Sequence, residues 1–268
     1  MDSLPGLERS FARLDQRVRV APALPERGFL RTVALAIDVA RDRHGEHFLV
    51  RLPTNPPELS VLDVRPELRQ LLLLARAGER KDKFLCGLDE RHLFTAAVPG
   101  TGVRDVITAM RALKPAAVRT HEERLGVRPR DRLRRHNPAS WRQGEWFFVP
   151  VPDLVVPAER IRHDESLSRG PRSKPHRCAQ AARLGGEVVY VSRRHRSPLT
   201  PAQHARLLDR NPSARTWAWE TRVRDPELYV RGEVRHPDHA TLRLPGWHRV
   251  LMNTENEAPG ARFVAFLD

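Results

Sequence analysis

The sequence predicts an α+β protein, with an N-terminal antiparallel β meander under one covering helix and a C-terminal, mostly β small barrel or sandwich. Three observations lead there. Apolar residues alternate with period two over residues 33–52, and four short apolar stretches separated by turn residues follow up to residue 98, as strands require. Between Val103 and Leu113 the period becomes that of a helix. Beyond residue 140, short apolar runs recur between closely spaced prolines and glycines, the pattern of a small β unit. An arginine-rich stretch divides the two halves, giving an α+β domain over 1–116, a basic connector over 117–140 and a β-rich, histidine-containing domain over 141–268.

Each element has a local reason. Residues 1–30 are proline-punctuated and read as an irregular or short helical lead-in. Val33, Leu35, Ile37 and Val39 alternate, Arg43-His44-Gly45-Glu46 offers a turn, and Phe48, Val50 and Leu52 resume, which is a hairpin pattern. A helix over 34–40 is the rival, but period two and the placed glycine favour the hairpin. Asn55-Pro56-Pro57 ends it. Four apolar stretches then follow, Leu59–Val64, Leu68–Ala77, Phe84–Leu88 and Leu93–Val98, joined by short polar segments, so an antiparallel meander is expected. Val103, Val106, Ile107, Met110 and Leu113 form one helical stripe, opened near Thr101 and stopped by Pro115. After the connector, strands are expected at 144–150, 187–192, 228–235, 241–244 and 247–252.

Charge and composition bound the function. The 268 residues carry 47 lysines and arginines against 33 acidic residues, a formal net charge of +14. Only Lys81, Lys83, Lys114 and Lys174 are lysines, an arginine bias like that of a GC-rich bacterial genome. The sign of the charge implies attraction to phosphate-rich partners. Arg128, Arg130, Arg132, Arg134 and Arg135 crowd the connector, Arg193, Arg194 and Arg196 form a second patch, and both are candidate contacts to a DNA or RNA backbone. Trp141, Trp217 and Trp219 are available either to stack on bases or, as the more ordinary role, to fill the core. Cys86 and Cys178 are too few for a disulfide framework and read as reduced thiols of a cytoplasmic protein. No run approaches the length of a bilayer crossing and no secretion signal is visible, so no membrane partner is expected. Phosphate-binding glycine loops, a dinucleotide fingerprint, an HExxH helix and a serine-hydrolase elbow are all missing from the sequence.

The chemistry-bearing residues concentrate in the last third. His176 and Cys178 are two apart, so on a strand they share a face. His236 would emerge beside the apolar positions Val230 and Val234, and His239 follows three residues later. His176, Cys178, His236 and His239 thus form a candidate four-ligand set for a transition metal such as zinc, with His248 behind it. Glu145, Glu233 and Asp238 are available acids or bases. The plainer alternative makes His236 and His239 hydrogen-bonding turn residues and Cys178 a small buried hydrophobe. Cys86 with Asp89, Glu90 and His92 combines a nucleophile with a base, but reads more simply as a strand and its turn.

The strings Gln143-Gly144-Glu145 before an apolar strand, Pro175-His176-Arg177-Cys178, His236-Pro237-Asp238-His239 and Pro245-Gly246-Trp247 resemble a group of uncharacterised bacterial and phage-encoded proteins over roughly residues 141–255. Their pattern has Gln-Gly-Asp, His-x-His, His-Pro-Glu-His and a Pro-Gly-aromatic turn. Here Cys178 stands at the second histidine and Glu145 at the aspartate. The resemblance implies that these motifs belong to one domain and implies no activity. Three functions remain open: a nucleic-acid-associated accessory protein of a bacterial mobile element or conflict system, a metal-dependent hydrolase, and a structural interaction module.

Overall fold

A computed structural model of the chain describes residues 4–22, 35–170 and 173–259. Val33, the first residue of the expected hairpin, lies outside the described residues, as does much of the lead-in. The described part of the lead-in holds helix α1 (Leu4–Ala12) and strand β1 (Val18–Pro22). The hairpin consists of β2 (Ala36–Asp42) and β3 (Gly45–Leu52), and Gly45 takes the turn with φ +103°. β1 pairs in parallel with β3, which completes a three-stranded sheet.

The meander is present as β4 (Glu58–Arg65), β5 (Gln70–Ala77), β6 (Arg80–Asp89) and β7 (His92–Ala97), antiparallel and in chain order. Its strands are apolar on both faces because each face meets a partner. Leu71, Leu73, Phe84 and Cys86 join Phe11, Ile37, Phe48 and Val50 in one core. Leu72, Leu85 and Ala96 face Val106, Ala109 and Leu113 of α2 (Val106–Ala112) in another. The covering helix starts four residues later than Thr101 suggested, because Asp105 caps it. The Asp105 side chain accepts from Thr108 N, and the Thr108 hydroxyl accepts from Asp105 N, a reciprocal box that fixes the first turn.

The connector is folded. It contains helix α3 (Ala116–Arg124), with Val118 and Val127 buried. The Lys114 ammonium is buried against the Glu122 carboxylate and the Arg132 carbonyl, and Asn137 Nδ2 donates to the same carboxylate at 3.1 Å. Burial pulls the Lys114 pKa down, and the bond to Glu122 opposes that shift.

Beyond it come β8 (His136–Asn137), β9 (Ser140–Gln143), β10 (Trp146–Pro150), β11 (Arg162–Leu167), β12 (His176–Leu184), β13 (Glu187–Ser192), β14 (His195–Leu199), helix α4 (Pro201–Arg210), β15 (Glu220–Arg224), β16 (Glu227–His236) and β17 (His239–Met252). Seven of these strands form one sheet in the order β11-β12-β16-β17-β10-β9-β8. It is an open sheet: among the described residues no pairing joins β11 to β8, so the strands do not close into a barrel. The two runs expected at 241–244 and 247–252 are one strand that passes through Pro245 and Gly246. β13, β14 and β15 form a separate three-stranded sheet inserted between β12 and β16. Trp146, Phe148, Cys178, Val230, Val234 and Leu244 make the core of the large sheet.

The chain then returns to its first half. Thr254 donates to the carbonyls of Ala112 and Leu113, and Ala258 packs into the first core. Replacing Lys114 with alanine leaves the Glu122 charge buried without its cation, and should cost about 3–5 kcal/mol in urea unfolding. A loss below about 1 kcal/mol would mean that the pair does not organise this region.

Candidate metal centre

The site is created by strand register. β12 and β16 pair with Arg177 opposite Arg235, and one residue further out His176 and His236 stack with ring centroids 4.2 Å apart. Across the neighbouring β16–β17 hairpin, His236 is itself opposite His239, their rings 4.7 Å apart. Direct cross-strand partners share a face. Three imidazoles therefore gather at one end of one sheet face, and each has a ring nitrogen within 4.8 Å of the others'.

Cys178 is not part of this group. It sits two residues inward along β12, about 6.6 Å of strand rise away, opposite Val234 and inside the apolar core. Burial drives its thiol pKa up to about 12, and Glu165 adds to the shift. It occupies the small-hydrophobe role of the plainer reading. His248 is also elsewhere: it is buried, Nδ1 meets Gly246 O at 2.8 Å, and its ring lies edge-on to Trp141. Glu233 pairs with Arg243 outside the cavity.

The turn from β9 to β10 covers the cluster. Gly144 there has φ +56°, and a Cβ at this position would lie 3.1 Å from His239 Nε2 and 3.7 Å from His176 Nε2. Glycine is needed on both counts, backbone conformation and close approach. Gln143 anchors the turn through Nε2, which donates to Ala240 O at 2.6 Å.

His176 is 2% exposed, and neither ring nitrogen has a hydrogen-bond partner. Burial, and after it the neighbouring His236 and His239, press its pKa down to about 3. Burial likewise lowers the pKa of His239, against the pull of Asp89 and Glu90. Both rings are thus neutral at neutral pH, the form that ligates metals. His236 behaves partly as a turn residue: Nδ1 accepts from Asp238 N at 3.1 Å and Nε2 lies 3.3 Å from Lys174 O. Ligation by His236 has to release one of these two contacts.

The N-terminal meander supplies the surrounding charges. Glu90, at the β6–β7 turn, accepts from Ala240 N at 2.7 Å and stands 3.7 Å from His239 Nδ1. A carboxylate beside the remote nitrogen of a ligating histidine orients the ring and raises its basicity. Arg135 holds both Asp89 and Glu90, and Arg142 also reaches Asp89. Asp238 pairs with Lys174 at 2.8 Å and lies 3.7 Å from His92, whose Nδ1 meets Glu46 at 2.8 Å. The Asp89–His92 turn and Asp238 stand out in the sequence as reactive residue types, but spacing does not show that they meet around the histidines.

The three histidines line a cavity of about 210 Å³. Glu145, Arg169 and Glu255 line it too. Glu255 is 2% exposed and forms an ion pair with Arg169. Burial outweighs the Arg169 attraction, Glu145 repels, and the Glu255 pKa rises to about 7.

The proposed phosphate contacts have mixed surroundings. Arg128 and Arg134 are committed to Asp131, Arg132 to Val127 O, and Arg135 to Asp89 and Glu90, while Arg130 is exposed. Arg193, Arg194 and Arg196 are all exposed. Trp141 packs against the core of the large sheet, whereas Trp217 and Trp219 are half-buried and belong to none of the hydrophobic cores. Among the described residues, no helix is long and apolar enough to cross a membrane. Compared with known proteins, the chain matches no family model, no curated protein and no solved structure.

Two outcomes follow from this geometry. Gly144→Ala should lose about 1–2 kcal/mol of stability from the left-handed backbone alone, measured by thermal unfolding. For Glu255, the folded pKa lies above that of the unfolded chain, so unfolding releases a proton between about pH 4.5 and 7 and stability falls as pH rises through that window. Glu255→Gln should flatten this component of the profile. Parallel wild-type and variant stability curves from pH 4.5 to 7 would contradict the assignment.

Proposed function

We propose that the protein is a metal-dependent hydrolase whose ion is held by His176, His236 and His239. The observation that carries this reading is His176, a buried neutral imidazole with two unpartnered ring nitrogens beside two more imidazoles. Leaving such a polar atom unpaired costs about 1–3 kcal/mol, a cost that coordination would remove at the ligating nitrogen. Three nitrogens around one zinc-class ion at about 2.0–2.1 Å lie about 3.3 Å from one another, so the present set within 4.8 Å needs only modest side-chain rotation to close. Three protein ligands leave a coordination position open, as catalytic rather than structural sites do. A zinc-class ion bound there would supply Lewis acidity and an acidified water. Glu90 would orient His239, and the cavity lined by Glu145 and Glu255 offers carboxyl groups for proton transfer. Cys178 is left out of the ligand set for the reason of strand rise given above. A cytoplasmic setting belongs to the same proposal, supported by two buried, unpaired thiols.

A second reading, association with nucleic-acid backbones as an accessory protein of a bacterial mobile element or conflict system, is favoured by the exposed Arg193, Arg194 and Arg196 and the net charge of +14. The first reading is tested by metal analysis and zinc titration of the purified chain. One zinc per chain is expected, with affinity reduced about 100-fold or more by His176→Ala and about 10–100-fold by Glu90→Ala. Absence of any transition-metal binding, or binding unchanged by His176→Ala, would overturn it.

A further inference from the structure

The chain leaves the large sheet after β12 and re-enters it at β16, and the intervening excursion, residues 187–224, builds its own β14-β13-β15 sheet with α4 beside it. This excursion has almost no aliphatic core. α4 has no buried residue, and the buried hydrophobic residues of the excursion are Val189 and Ala214. A row of rings takes the place of a core. Tyr190 stacks on His204 at 4.1 Å, His204 meets Trp219 edge-on at 4.5 Å, and Trp219 stacks with Trp217 at 5.8 Å. Trp219 is fixed by Nε1, which donates to Ala214 O at 2.9 Å. Trp217 ends the row, and part of its surface stays open to solvent.

The surroundings are one-sided in charge. The excursion carries eight arginines against Glu187, Asp209 and Glu220; Glu187 pairs with Arg224, and Glu220 pairs with Arg222 and also attracts Arg193. Arg193 and Arg194 lie in the β13–β14 turn and Arg196 just after it, at the end of the ring row where the His195 ring is 6.2 Å from Trp219. Half-buried indoles bordered by exposed arginines in excess over nearby carboxylates are what an unpaired base and its phosphates recognise. In a duplex the base faces are already stacked on one another and cannot be offered to a protein ring.

We propose that this excursion docks single-stranded nucleic acid, with a base stacked on Trp217 and the backbone running past Arg193, Arg194 and Arg196. The inference rests on the second reading above and names its strand state and surface. The test is fluorescence anisotropy of the full chain with a labelled oligothymidylate of about twelve nucleotides and with a duplex of equal length, each over a range of salt. The single strand should bind at least about tenfold more tightly than the duplex. Trp217→Ala should weaken single-strand binding about tenfold or more, Trp217→Phe should retain most of it, and circular dichroism should show both variants folded. Changing Arg193, Arg194 and Arg196 together to alanine should reduce the slope of log K against log salt by about 2. Equal affinity for both probes, or a folded Trp217→Ala variant that binds like wild type, would overturn the stacking surface while leaving backbone association intact. Binding to neither probe at low salt would overturn both.

Discussion

Antiparallel pairing of β12, β16 and β17 is the constraint on which the site depends. Because side chains alternate along a strand and cross-strand partners share a face, fixing Arg177 opposite Arg235 and His236 opposite His239 brings three histidines together without any loop having to be positioned. A register slip of one residue would turn the His176 ring to the other face. The apolar layer immediately inward, where Cys178 faces Val234, holds that register through burial, so the core that stabilises the sheet also sets the site.

The rest of the chain closes around this sheet end. The meander contributes its β6–β7 turn, from which Glu90 reaches Ala240 N and the His239 ring, and Arg135 and Arg142 neutralise the acidic pair there. The folded connector, organised around the buried Lys114–Glu122 pair, brings Arg135 into place, and Arg142 follows on β9. The C-terminal segment returns to hydrogen-bond with the end of α2 and sets Glu255 in the same cavity. Low dielectric explains why the cavity is electrostatically unusual: burial keeps His176 and His239 neutral and keeps Glu255 protonated to near-neutral pH. Those states suit a site that receives a cation at the imidazoles and moves protons at the carboxyls.

The legible parts of the fold were those written in local pattern. Ile37 to Leu52 alternates around a turn glycine, and the hairpin follows; the 59–98 runs carry their own turns, and the meander follows. β1 was hidden because its pairing with β3 is parallel and non-local. β11 and β15 present mostly exposed residues, so no apolar alternation marks them. α4 does not stand out although Thr200 and Gln203 form a legible capping box with Pro201 in its first turn, because the helix buries none of its residues. At the candidate site, histidine spacing picks out three rings that the structure brings together, since the His236–His239 turn is local. Counting by two also drew in Cys178: the face was right, but a strand step moves a side chain too far to share an ion. Glu90 and Glu255 lay beyond any spacing argument, since they arrive from distant segments.

X-ray absorption at the zinc edge of the chain loaded with one equivalent of zinc tests the central claim most directly. The account predicts a first shell of imidazole nitrogens at about 2.0–2.1 Å, three from the protein, with no sulfur. A sulfur scatterer at about 2.3 Å, or a shell without imidazole, would contradict the three-histidine centre.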